Sequence, residues 1–354
     1  VTDTYLHFYD TDHTTQLDSD DDSGENGRFS RIVFDMPFIG YCNGGCGGGG
    51  GGGAPPQTNE LPDQDADTFA DVEEAFVGTA IANANQSAPI YDIHNHNYNT
   101  KLADKSAGNY AADPVNTRTG AFEFIQTDFT LKGRGVPINF VRNYNSKTTD
   151  KNSHIGNGWN YSHNVFYYQD PGSKNVQVYL GGALTTIFTT QDNGQTFSPP
   201  KGEYDELFWD GEFLVYKTLD GTRYEFGNRL TSQLGILDQI VDTNNNTTQF
   251  NYIYRNDVPL LSQIMDASGR LVNISYGDEG GSNWNNIATI QEAVNNEHPR
   301  IVQYGYDNGG NLLSVTTNRY FEGVEEQIVK TFTYDAAGMM ATYTDPRGTV
   351  LYNE

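Results

Sequence analysis

Five tyrosines at near-regular intervals constrain the fold of this chain more than any other feature. They lie in strand-like runs, Thr222–Phe226, Thr248–Tyr252, Val272–Tyr276, Ile301–Asp307 and Thr331–Asp335. Tyr224, Tyr252, Tyr276, Tyr306 and Tyr334 are 28, 24, 30 and 28 residues apart. A period of about 20 to 50 residues marks a repeat architecture, whose units cannot bury an apolar face alone and must stack on neighbours. Each unit is regular inside as well. An apolar run ending in Asp (Leu237–Asp242, Leu261–Asp266) leads to turn residues (Asn244–Asn246, Ala267–Gly269) and then to the Tyr run. β-Branched and aromatic residues alternating between Asn, Gly and Asp clusters predict antiparallel β-hairpins. The expected fold class is therefore mainly β, a continuous sheet of hairpin repeats with N-terminal strands and one short helix.

Composition agrees. Of 354 residues 36% are hydrophobic and 13% aromatic, so Tyr and Phe must supply much of the core, as suits half-buried strands. No apolar run approaches the ~18 residues of a membrane span. The net charge is −25, and residues 1–100 hold 17 acids against Arg28 and Arg31, a net −15. Such a charge disfavours nucleic-acid partners and suits either a solvated surface or cation binding. The chain begins at Val1, the pattern left when an export signal is removed. Extracellular or cell-surface, bacterial-type secretion is the expected localisation.

Four segments are expected: an acidic β segment (1–46), a Gly-rich linker, helix and connector (47–112), an opening segment (113–200) and the repeat sheet (201–354). In the first, Thr4–Tyr9 and Phe29–Phe34 read as strands, with the acidic turn Asp18–Glu25 between them. Asp18, Asp20 and Asp22 alternate as in a calcium loop, but Gly24 and Phe29 fall where such a loop needs another spacing and a bidentate Glu. A non-standard calcium site and a solvated acidic tip are both open readings; no other cofactor is expected. Cys42 and Cys46 can close a local disulfide across a Gly-rich turn. Gly47–Gly53 is a linker by composition, and if ordered it would have to pack closely against another backbone. Phe69, Val72, Phe76 and Ala80 place an apolar stripe on a helix over Asp67–Ala84.

From Asp113 the motifs become specific. Asp113–Gly120, Leu131–Pro137, Phe140–Ser146 and Gly156–Ser162 precede Tyr306-Asp307-x-x-Gly309 and Tyr334-Asp335-x-x-Gly338. In content and order these resemble the segment that opens the repeats, and the first repeats, of bacterial Rhs and teneurin-like YD-repeat proteins, over residues 113–352. The resemblance implies a sheet spiralling into a hollow shell, which in toxin-associated members encloses a C-terminal toxin released by self-cleavage. About five repeats are present, fewer than a shell of usual size needs. Asp345-Pro-Arg-Gly348 superficially resembles the family's cleavage region and reads better as a turn.

No catalytic constellation stands out: there is no G-x-S-x-G, no H-E-x-x-H and no phosphate loop. Trp159 and Trp209 are candidates for sugar stacking, although core packing is the commoner use of such rings. The leading expectation is a non-enzymatic extracellular subunit that self-assembles into a surface fibre or sheath, as a homo-oligomer or polymer. Strand addition would use Thr4, Tyr5, Leu6 and Phe8, or Phe29, Ile32 and Phe34. The alternatives are the front part of an Rhs-type cocoon around a toxin, and an adhesin with a carbohydrate or cell-surface partner.

Overall fold

The computed structural model describes residues 5–9, 16–21, 76, 110–111, 115–116, 120–149, 152–181, 183–293, 299–321 and 324–352. The chain divides into two compact units, Val1–Thr58 and Asn59–Glu354. In the first, Tyr5–Tyr9 pairs antiparallel with Gln16–Asp21, setting Tyr5 opposite Asp21 and Phe8 opposite Asp18. This corrects the expected turn, because Asp18 and Asp20 lie in a strand and the connection precedes them. Thr4, Asp22, Phe29, Ile32, Phe34, Cys42, Cys46 and the glycine run fall outside the described residues. So does the expected helix, apart from Phe76, which is helical, buried and edge-on to Phe166 at 5.6 Å.

The second unit is built on a thirteen-stranded antiparallel sheet running in chain order from Glu206–Asp210 to Val350–Tyr352. The repeats read from the sequence are its strands, including Thr247–Arg255, Val258–Met265, Leu271–Tyr276, Ile301–Tyr306 and Val324–Tyr334. One excursion interrupts the order. Asn228–Arg229 and Leu234–Ile236 leave the sheet, and Leu234–Ile236 pairs with Phe166–Gln169 in a five-stranded sheet that includes Val176–Leu180 and Ala183–Phe188. A further five-stranded sheet contains Ala121–Leu131, Ile138–Asn145 and Trp159–Tyr161.

The Tyr and Asp of each repeat have separate tasks. Tyr252, Tyr276, Tyr306 and Tyr334 donate their hydroxyls to the carbonyls of Leu237, Leu261, Ile287 and Leu312 at 2.7–3.0 Å. Tyr276 is buried and the other three rings are partly buried, each with its polar tip satisfied on an earlier part of the meander. Burial pushes the hydroxyl pKa values of Tyr252, Tyr276 and Tyr306 well above the usual value.

The aspartates close the turns. One carboxylate oxygen of Asp242, Asp266, Asp307, Asp335 and Asp345 accepts the amides two and four residues on, at 2.8–2.9 Å. The residue at the third position, Asn245, Gly269, Gly310, Gly338 or Gly348, has positive φ, which Gly and Asn adopt most cheaply. Asp345 therefore caps the same turn as its counterparts. The Asn246 side chain holds the Asp242 carboxyl below the ordinary range, and the Thr349 amide does so for Asp345. Burial of Asp307 opposes ionisation, and the bonds from Asn311, Gly309 and Gly310 outweigh it. Asp307→Ala removes the acceptor of two backbone amides and the Asn311 side-chain bond. We expect a loss of about 2–3 kcal/mol in urea unfolding at neutral pH.

Candidate functional site

The two strands of the long hairpin Ala121–Leu131 and Ile138–Asn145 carry one face of the interface between opening segment and repeats. In Ile138–Asn145, strict alternation buries Ile138, Phe140, Arg142 and Tyr144. Ala121–Leu131 changes phase. Its register slips between Thr127 and Phe129, so the early Phe122 and Phe124 and the later Phe129 and Leu131 are all buried. A bulge lets both sets face the core, and Asp128 is the extra residue.

Arg142 and Asp128 meet there as an ion pair whose side chains are both 0% exposed. Arg142 Nε donates to one carboxylate oxygen and Nη2 to the other at 3.0 Å, a bidentate grip. The guanidinium lies 4.5 Å from the Trp159 ring centroid, 5.5 Å from Phe332 and 5.8 Å from Tyr304. Tyr304 also donates its hydroxyl to Asp128 at 3.0 Å. Lys330 Nζ is 4.0 Å from Asp128 and 2.9 Å from Gln126 Oε1. Burial works against the charge of Arg142, but Asp128 outweighs it and raises the pKa; burial likewise lowers that of Lys330, against the pull of Asp128. Two cations and one carboxylate are thus held among rings from both the opening segment and the repeat strands. Arg142 Nη1 has no hydrogen-bond partner among the described residues.

Two loops fix the ends of the interface. At one sheet margin Arg270, paired with Asp266, donates to the Lys132 carbonyl at 2.7 Å, and Arg300 donates to Thr130 at 2.8 Å. A Cβ on Gly133 would sit 2.0 Å from Arg270 Nη2, so the approach requires glycine or a displaced Arg270. At the other margin Asn157 reads the Asp307 turn. Its amide donates to the Gly310 carbonyl at 3.0 Å, and its side chain donates to Gly309 and Asn311.

Trp159 is 1% exposed, with Arg142 over its ring, Phe332 edge-on at 5.1 Å and Nε1 donating to the Tyr334 hydroxyl at 2.8 Å. This removes Trp159 as a sugar-platform candidate and agrees with the core-packing alternative, since both the ring and its N–H are committed to the core. Trp209 is half-buried, with Arg229 at 4.6 Å over its ring and Nε1 donating to Gly194. The buried Asp128–Arg142 pair was not anticipated from the sequence. Alternation through Phe140, Arg142 and Tyr144 was the available signal for Arg142, whereas nothing in the residue pattern marks the bulge at Asp128. No helix among the described residues is long and apolar enough to cross a membrane.

Residues 112–181 match the model of a domain of unknown function, DUF6531. The tRNA nuclease WapA of Bacillus subtilis strain 168 is 29% identical over 145 residues, which are 41% of this chain and 6% of that protein. In content and order the motifs of this chain resemble those of Rhs-like YD-repeat proteins. Among solved structures, the Photorhabdus luminescens Tc holotoxin pore aligns with 61% of this chain and 16% of its own, at TM-score 0.43 and 12% identity. The N-terminal domain of the Salmonella typhimurium effector SpvB aligns over 65% of this chain and all of that one, at TM-score 0.33 and 12% identity. The chain spans 6% of the length of the curated relative it matches.

Proposed function

We propose that this chain is a non-catalytic wall of an exported Rhs-type toxin-related protein, in which the DUF6531 segment closes the start of a YD-repeat shell around a cargo. The observation that carries this reading is the docking of residues 121–161 against repeat strands and turns at both sheet margins. Arg142, Trp159, Asn157 and the Lys132 carbonyl bind partners between Arg270 and Tyr334. A sheet clamped in this way has part of its apolar face covered by the opening segment, as the beginning of an enclosure requires. Arg142 and Asp128 are buried and paired with each other, which suits a structural clamp better than chemistry on a substrate.

A self-assembling fibre or sheath, the leading expectation from the sequence, draws no support from the relatives. Part of its motivation is also weakened, because Tyr5–Tyr9 already has Gln16–Asp21 along one edge. Intact mass of the natural polypeptide that carries this sequence distinguishes the two readings. The shell reading expects a chain far longer than 39.3 kDa, containing further repeats. A natural product near 39.3 kDa would overturn it.

A further inference from the structure

His154 and His163 sit where the opening segment meets the repeats, and neither ring has the surroundings that a charged imidazole needs. His154 is 7% exposed, and its Nε2 has no hydrogen-bond partner among the described residues. Its backbone is part of the junction. The His154 carbonyl accepts the amide of Ile287 at 2.7 Å, and the residue is held at φ 62°. Three residues later Asn157 docks on the Asp307 turn. His163 packs between Phe140 of the opening segment and Phe250 of the repeats, its ring 5.7 Å from each, with Nδ1 3.3 Å from Ser162 Oγ.

The charged groups on the packed elements are committed elsewhere. Asp278 and Glu279, on the loop leading to Ile287, are exposed. Asp307 caps its own turn, and Asp128 is paired with Arg142. Arg255, on the strand of Phe250, donates to the carbonyls of Gly277 and Trp284. Burial lowers the pKa of both histidines to about 4, opposed at His154 by the backbone of Phe76 and Asn285.

We propose that this junction is an acid-operated latch, in which protonation of His154 and His163 undocks residues 152–163 while the repeat sheet keeps its strands. A proton on His154 would create a buried cation whose Nε2 has no partner among the described residues and which only the backbone of Phe76 and Asn285 favours, and one on His163 would set a charge between two phenyl rings. Both costs vanish when the segment swings into water. The direction follows from linkage. A histidine whose pKa falls on docking binds more protons undocked, so docking is strongest above about pH 6.5 and weakens as pH falls toward the docked value. The latch does not depend on what the shell encloses.

Hydrogen exchange of the full chain, corrected for intrinsic rates between pH 7 and 4, tests this. The amides of Asn157, bonded to Gly310, and of Ser162, bonded to Val141, should lose protection as pH falls. Those of Ile290 and Val302 in the repeat sheet should keep theirs. His154→Gln with His163→Gln should move the midpoint of that loss down by about one pH unit. An unchanged midpoint, or simultaneous loss in both regions, would overturn the latch. If the double variant does not fold, ring titration of the wild-type histidines by NMR decides: values near 4 support it, and values near 6.5 contradict it.

Discussion

Replacing Arg142 with methionine should destabilise the protein by about 3–5 kcal/mol in equilibrium unfolding, among the largest effects expected for a single substitution here. The cost comes less from the lost pair than from what remains. Asp128 is fully enclosed, and without the guanidinium its carboxylate keeps only the Tyr304 hydroxyl and a distant Lys330. Desolvating a charge is repaid only when its partner is present. Asp128→Asn combined with Arg142→Met should therefore recover much of the loss, because neither member of the pair is then left as a buried charge without its partner. A double-mutant cycle in urea measures the coupling. Additivity of the two single effects would show that the pair does not act as a unit.

Trp159→Ala should cost a comparable amount, about 3–5 kcal/mol, through the cavity left under Arg142 and Phe332. Trp159 is in contact with four of the groups that join the opening segment to the repeats: Phe124, Tyr144, Arg142 and Phe332. Its N–H also satisfies the Tyr334 hydroxyl, which donates in turn to Leu312. Trp159→Phe should be milder, since it keeps most of the ring volume and loses only the N–H bond. Chemical denaturation of the two variants side by side gives the comparison. Equal losses would assign the effect to the hydrogen bond rather than to packing.

Much of the repeat sheet was legible from residue pattern, and for a physical reason. A Tyr at the end of each run and an Asp before each turn are local devices, the one burying a ring against the preceding strand and the other capping a turn. Both leave a periodic trace, so Tyr252, Tyr276, Tyr306 and Tyr334, with Asp242, Asp266, Asp307 and Asp335, fall where the period places them. The clamp left no such trace. Asp128 enters the core only because the bulge at Thr127–Phe129 shifts the strand by one residue, and period-two alternation cannot reveal that. The excursion of Leu234–Ile236 into another sheet is likewise a long-range pairing, with Phe166–Gln169, that short apolar runs do not encode. Trp159 follows the commoner of its two sequence readings, core packing rather than sugar stacking, because tertiary contacts enclose its ring.

Electron microscopy of the natural, full-length product tests the central claim most directly. The account predicts discrete hollow particles whose wall is a continuous spiralling sheet, with the Ala121–Leu131 and Ile138–Asn145 hairpin lodged at the closed beginning of that wall. Regular filaments built from head-to-tail copies of this chain, with no enclosed volume, would contradict it.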